Sequence, residues 1–266
     1  MIIKSLELKN FRNYQALGIA FDAGTNILYG DNAQGKTNVL ESLYVSGTTK
    51  SHKGSKDKEM IRFDADEAHI RTIVEKNGVE NRIDIHLKKN SAKGIAVNGI
   101  PIRKAGELFG ILNLVVFSPE DLNIIKEGPA GRRRFIDLEL SQLDKVYLSN
   151  LSNYNRIINQ RNSLLKEIVY QKDLIDTLDI WDMQLAEYGT KIIERRKKSI
   201  DEVKRIIGGI HEKLTGGREN IGLSYESSAG ELSMAALPRK NRGRDLRFQS
   251  TYAGHHRAEL SYRGGD

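Results

Sequence analysis

Gly30-Asp31-Asn32-Ala33-Gln34-Gly35-Lys36-Thr37 fits the spacing G-x-x-x-x-G-K-[ST] at every fixed position. Each fixed residue answers a demand made by a polyphosphate. Gly30 and Gly35 permit backbone angles and close approaches that a side chain would block. The residues between them, Asp31, Asn32, Ala33 and Gln34, complete a loop whose N–H groups can turn inward as an anion nest. Lys36 brings a compact, mobile charge to the β- and γ-phosphates. The Thr37 hydroxyl is an oxygen ligand of the kind Mg²⁺ selects. The flanks agree with this reading. Asn26-Ile27-Leu28-Tyr29 is an apolar run suited to a buried strand, and Val39, Leu40, Leu43 and Tyr44 follow at helical spacing. Strand, glycine loop and helix start aim a helix dipole at phosphate. The loop therefore predicts a nucleoside triphosphate site with Mg²⁺.

Composition sets the limits. At 266 residues the chain makes one large domain or two modest ones, and 39% hydrophobic content suffices for a core beside 29% charged residues. The absence of cysteine removes disulfides and thiolate metal sites and fits a reducing cytosol. No stretch reaches the ~18 apolar residues of a membrane span. Met1-Ile2-Ile3-Lys4-Ser5-Leu6-Glu7 alternates like a strand and does not resemble a secretion leader. The expectation is a cytoplasmic protein with no membrane partner. Net charge is +7, of which residues 239–266 hold +4 (seven Lys/Arg, three Asp/Glu), so the first 238 residues carry +3. Such a balance permits a nucleic-acid partner without demanding one.

Along the chain, strands are predicted at 2–8, 16–21, 25–29, 69–76, 81–88, 94–97 and 113–117, with a hairpin turn at Asn98-Gly99. Residues 48–58 read as a solvated loop. After Ser118-Pro119 the pattern turns helical. Pro129 fits the first turn of a helix carrying Arg132-Arg133-Arg134. Two long amphipathic segments follow, one from Tyr147 to Ile168 and one from Leu178 to Ile193, which predict an antiparallel helical hairpin. Arg195-Arg196-Lys197-Lys198 reads as a solvated face, and 221–226 as a returning strand. The predicted division is a nucleotide-binding lobe at 1–117, a helical lobe at 118–212, and a return strand with a basic tail at 213–266.

Several motifs together resemble the RecF family: Leu8-Lys9-Asn10-Phe11-Arg12-Asn13-Tyr14, the loop through Asn38, Phe117-Ser118-Pro119-Glu120-Asp121-Leu122, Gly128-Pro129 with Arg132-Arg133, and Tyr154-Asn155 through Gln160-Arg161-Asn162. The resemblance runs from residue 1 to about 262. It implies an α/β fold: an ABC-ATPase head, similar to SMC and Rad50 P-loop lobes with a mixed sheet, plus an inserted helical lobe. It further implies ATP and Mg²⁺ as cofactors, and an ATP-dependent homodimer acting on single-stranded and gapped duplex DNA. Partner recombination mediators, recombinase loading and a place in replication, repair and the SOS response follow from the same likeness. By that likeness Arg12 and Asn13 reach the nucleotide from the first hairpin, beside Lys36 and Thr37.

Other family features are missing from this sequence. Hydrolysis needs an apolar strand ending in paired carboxylates, and a signature loop supplied across a dimer. Leu114-Val115-Val116-Phe117 is followed by Ser118-Pro119 before Glu120 and Asp121, which reads as a core strand without a catalytic carboxylate. Gly254-His255-His256-Arg257-Ala258-Glu259-Leu260 departs from the family's Gly-Pro-His-Arg-Asp-Asp-Leu at His255 and Ala258, as a C-terminally truncated reading frame would. His255 and His256 lack a third metal ligand nearby and read as a solvated tail. Three readings stay open: an ATPase switching DNA binding by dimerisation, a hydrolysis-dead DNA-binding or interaction fragment, and a small phosphotransferase. The helical hairpin and the Lys-Asn-Phe-Arg turn weigh against the third. No catalytic residue is assigned.

Overall fold

The computed structural model describes residues 1–122, 124, 128–226 and 236–252. They form two compact units, one spanning Met1–Asp121 and one from Leu122 onward. The first contains β1 (Ile2–Phe11), β2 (Tyr14–Ala20), α1 (Lys36–Thr48), α2 (Asp57–Met60), β3 (Glu67–Lys76), β4 (Val79–Lys88), β5 (Gly94–Val97) and β6 (Ile100–Pro101). The strands make one sheet in the order β2-β1-β3-β4-β5-β6, antiparallel at every ladder. Strand period explains its two faces. Ala68, Ile70 and Val74 of β3 and Ile83, Ile85 and Leu87 of β4 are buried, while Glu67, His69, Arg71, Asp84 and His86 point the other way. Helix α1 packs on the buried face, where the Ser46 and Thr72 hydroxyls share a hydrogen bond of 2.8 Å.

Turn chemistry sets the register. Val97 pairs with Ile100 across Asn98-Gly99, both at positive φ (53° and 82°), as the sequence predicts. Asn77-Gly78 closes β3 onto β4 in the same way, with φ of 53° and 76°. Two-residue turns of this hand match the twist of the strands they join.

Three predicted features of this unit need correction. Residues 25–29 form no strand. Asn26 is drawn into a turn instead, its Oδ1 accepting from the Asp22 N–H at 2.9 Å and its Nδ2 donating to the Asp22 carbonyl at 3.0 Å. Residues 113–117 also lie outside any ladder; Leu114 packs on the core while Val115 and Phe117 are exposed. A strand exists only where a neighbour takes its backbone groups, and neither segment has such a neighbour among the described residues. The third is the loop at 48–58, whose start is interior rather than solvated. Thr48, Thr49 and Ser51 are buried because they close against Glu41 and the end of α1.

The second unit is helical: α3 (Pro129–Leu143), α4 (Lys145–Glu167), α5 (Leu178–Thr215) and α6 (Ala236–Phe248). Pro129 begins α3 as predicted. Asp144 caps α4, its Oδ1 accepting from the N–H groups of Val146 and Tyr147 at 2.9 and 3.0 Å. Those backbone bonds, aided by Arg195, outweigh partial burial and hold its carboxyl below the usual range. Helix α5 stops at Gly216, whose φ is 65°. Helices α4 and α5 pack as the expected hairpin, with Tyr154 and Ile157 against Leu185 and Ile192.

Here too the structure revises the reading. Residues 221–226 are not a strand; Leu223 and Tyr225 pack on the helical core. Within the predicted basic tail, residues 239–248 form most of α6, and Arg242 pairs with Asp179 and Asp182 of α5. Arg196 is buried, donating to Asp137 at 2.6 Å and to the Tyr147 hydroxyl at 2.9 Å, so the basic run 195–198 is only partly a solvent face. The stretch containing His255 and His256 lies outside the described residues.

Candidate nucleotide-binding site

The loop 30–37 leads directly into α1, with Gly35 at the N-cap position (φ 97°) and no acidic residue in the first turn. Its N-terminal amides and dipole are thus available to an anion. The loop is tightly folded: Gly30 has φ 139°, and Ala33 stands at φ 66°. A non-glycine residue there stores strain of about 1–3 kcal/mol, which the surrounding contacts must hold. Lys36 Nζ curls over the loop and donates to the carbonyls of Gly30 and Asp31, each at 2.6 Å.

The β1–β2 hairpin supplies the wall. Asn13 Nδ2 and the Tyr14 hydroxyl donate to the Gln34 carbonyl at 3.2 and 3.3 Å, and Asn38 Nδ2 donates to Asn13 Oδ1 at 2.9 Å. Lys53 reaches Asn38 Oδ1 at 3.3 Å. Together Asn13, residues 32–38 and Lys53 line a concavity of about 270 Å³.

By the family likeness Arg12 and Asn13 both reach the nucleotide, and in the structure both line a concavity with Asn38 and Lys53, though their side chains bond different partners. Asn13 lines the loop's concavity, whereas the Arg12 guanidinium grips Glu41 of α1 with two bonds of 2.6 and 2.9 Å. It also donates to Ser55 Oγ at 2.6 Å and to the Glu59 carbonyl at 2.7 Å. Arg12 itself sits at φ 54°. Its fork thereby ties the first hairpin to the helix that follows the loop. Glu41 escaped the sequence reading, although a carboxylate one turn before Val45 on the core side of α1 requires a cationic partner. Tyr14, Asn38 and Lys53 escaped it too, because their roles depend on how the hairpin folds back.

Burial pushes the Glu41 carboxyl up, but hydrogen bonds from Arg12 and Ser51 and the charges of Arg12 and Lys53 prevail and leave it depressed. A depressed folded pKa means stability that is full above the ordinary value of 4.5 and drains as pH falls through the folded value. Replacing Glu41 by Gln should therefore cost about 2 kcal/mol at pH 7 and flatten this acid loss. Amide exchange in α1 and β3 at pH 7 and in the acid range measures both effects. Equal acid sensitivity in the two proteins would remove Glu41 from the account.

A family model described as AAA ATPase domain matches residues 1–231. The DNA replication and repair protein RecF of Agathobacter rectalis is 63% identical over 262 residues, which are 98% of this chain and 72% of that protein. The chain belongs to the RecF family. Its likeness to RecF of Lachnospira eligens is 56% over 264 residues, 98% of this chain and 73% of the relative. Among solved structures, that of the recombination mediator protein RecF with ATP, in the RecFOR pathway, superposes with a TM-score of 0.92 at 34% identity, covering 98% of this chain and 73% of that one. The fold is accordingly that of the RecF ATPase head with its helical hairpin. No helix among the described residues is long and apolar enough to cross a membrane.

Proposed function

We propose that this chain binds ATP with Mg²⁺ through residues 30–37 and works as a recombination mediator on DNA. The observation that carries the proposal is the loop itself: a glycine-hinged turn opening α1, with Lys36 folded over it and a concavity lined by Asn13, Thr37 and Lys53. The donor set fits the ligand. Gly35 leaves no room for a Cβ, Lys36 offers charge to phosphate, and Thr37 is the residue that would hold Mg²⁺. Bound there, the metal would neutralise phosphate charge. In this scheme Lys36 gives up its two carbonyl partners to the ligand, while Asn13 and Tyr14 keep the Gln34 peptide fixed. Arg12 acts through Glu41, holding the hairpin against α1.

Membership of the RecF family extends the proposal to DNA. The chain would bind single-strand/double-strand junctions and gaps, dimerise on ATP and assist recombinase loading in the cytoplasm with partner mediators, in replication-linked repair and the SOS response. A basic concavity of about 830 Å³ lined by Lys53, Lys58, Arg62 and Lys89 borders the loop and is compatible with a polyanionic partner.

Calorimetric titration with ATP and Mg²⁺ tests the first part. Lys36→Ala should weaken binding by about 10- to 150-fold, the worth of a hydrogen bond to a charged group of 1.5–3 kcal/mol. Sedimentation with and without ATP, on gapped against blunt duplex, tests the second. ATP heats that survive Lys36→Ala unchanged would defeat the site assignment, and identical sedimentation under all four conditions would defeat the mediator assignment.

A further inference from the structure

The outer face of the sheet carries a cluster unrelated to the phosphate loop. His69 and His86 stand directly opposite each other on β3 and β4, and Glu67 lies two residues before His69 on the same face. The imidazoles stack at 3.9 Å between centroids with 22° between planes. Glu67 reaches both rings: its Oε2 is 2.9 Å from His86 Nε2 and its Oε1 is 3.7 Å from His69 Nε2. One ligand atom from each of the three lies within 4.8 Å of the others.

We infer that Glu67, His69 and His86 form a binding site for a borderline divalent metal ion of the Zn²⁺ class. Two imidazoles and one carboxylate are a donor set Zn²⁺ takes, with a fourth position left open. Zn–N bonds near 2.0–2.1 Å place two tetrahedral ligand nitrogens about 3.3 Å apart. Directly opposed residues on neighbouring strands have β-carbons about 4.5–5.5 Å apart, which suits that spacing. Small side-chain rotations of three partly exposed residues close the remaining gap. On binding, the ion takes the place of the hydrogen bond between His86 Nε2 and Glu67, and the ring proton of His86 resides on Nδ1. The bound ion then staples β3 to β4 near one end of their ladder, where Glu67 faces Lys88.

The test uses the untagged full chain without nucleotide, titrated with Zn²⁺ by calorimetry and with Co²⁺ by visible absorption. One saturable equivalent and a tetrahedral Co²⁺ spectrum are expected. His69→Ala and His86→Ala should each weaken binding by at least about 10-fold. The double variant His255→Ala/His256→Ala and the single variant His211→Ala should bind as the parent does. Bound Zn²⁺ should also slow amide exchange at residues 67–69 and 86–88. Absence of saturable binding would overturn the inference, and so would binding that survives His69→Ala/His86→Ala or disappears with His255→Ala/His256→Ala. All three residues sit on a solvated sheet face, and circular dichroism of each variant separates loss of the site from loss of the fold.

Discussion

Replacing Arg161 by Ala should lower the unfolding free energy of the helical unit by about 3–5 kcal/mol. Its guanidinium is fully buried on α4 and joins three elements. Nε donates to Asp182 Oδ1 of α5 at 2.8 Å, and the η1 nitrogen to Asp245 Oδ2 of α6 at 2.8 Å and to Thr251 Oγ1 at 2.9 Å. Thr251 is held in turn by Asn162, and Asp245 also accepts from the Tyr252 N–H at 2.9 Å. Truncating the arginine leaves Asp245 buried without its 2.8 Å cation, while Asp182 keeps Arg242. Desolvated charge left behind dominates the loss, more than any net strength of the bonds removed. Lysine should rescue little, because a point ammonium cannot span the fork that meets two carboxylates and a hydroxyl.

Removing the whole network is a different matter. Arg161→Met with Asp182→Leu and Asp245→Leu should recover most of the loss, since no buried charge is stranded. The η2 nitrogen of Arg161 already lacks a partner among the described residues, so the native arrangement carries a desolvation cost of its own. Trp181, the chain's single tryptophan, adjoins Asp182 and makes urea unfolding of this unit readable by fluorescence. An unchanged midpoint for Arg161→Ala would show that the triad contributes nothing.

These networks mark the boundary of what the sequence discloses. Arg161 and Asp245 are 84 positions apart, and Arg196 and Asp137 are 59 apart. No local period links them. Arg195-Arg196 looks like any solvated basic run until α3 and α4 close over Arg196. The phosphate loop, by contrast, is legible because its chemistry is local: glycine angles, one ammonium and a helix start all fall within eight residues. Alternation revealed β1, β3 and β4, and helical spacing revealed the hairpin of α4 and α5.

The three strands that did not form share one physical reason. Hydrophobicity says that a segment wants burial, not that another strand lies beside it. Residues 25–29, 113–117 and 221–226 have strand-like composition, but Asn26 closes a turn, Val115 and Phe117 face outward, and Tyr225 packs on helices. At the site, Asn13 bonds the Gln34 carbonyl while its neighbour Arg12 bonds Glu41. Residue type could not decide between them, because the hairpin turn sends adjacent side chains to different neighbours.

Gly35→Ala should weaken ATP binding by about 100-fold or more while the rest of the first unit stays folded. Two effects act together. Gly35 has φ 97°, outside what alanine adopts without strain, and positions held so cost about 1–3 kcal/mol. A Cβ at Gly35 would also stand 2.6 Å from both terminal atoms of Asn13 and 2.8 Å from the Tyr14 hydroxyl. Those side-chain ends can retreat, but only by releasing the Gln34 carbonyl they hold, and the loop loses its wall. Gly30→Ala supplies the contrast. Its φ of 139° is unfavourable for alanine, yet no atom lies within 4 Å of the added carbon, so its loss should be smaller. Asn13→Ala in the Gly35→Ala background should restore little, because it removes one clash together with the bond that holds the Gln34 carbonyl, and leaves the Tyr14 contact and the strain in place. Calorimetry with ATP and Mg²⁺ on the four proteins reads these differences, and amide exchange in β3 and β4 confirms that the sheet persists. Were Gly35→Ala to bind ATP as tightly as the parent, the loop would not be where the triphosphate sits, whatever its sequence spells.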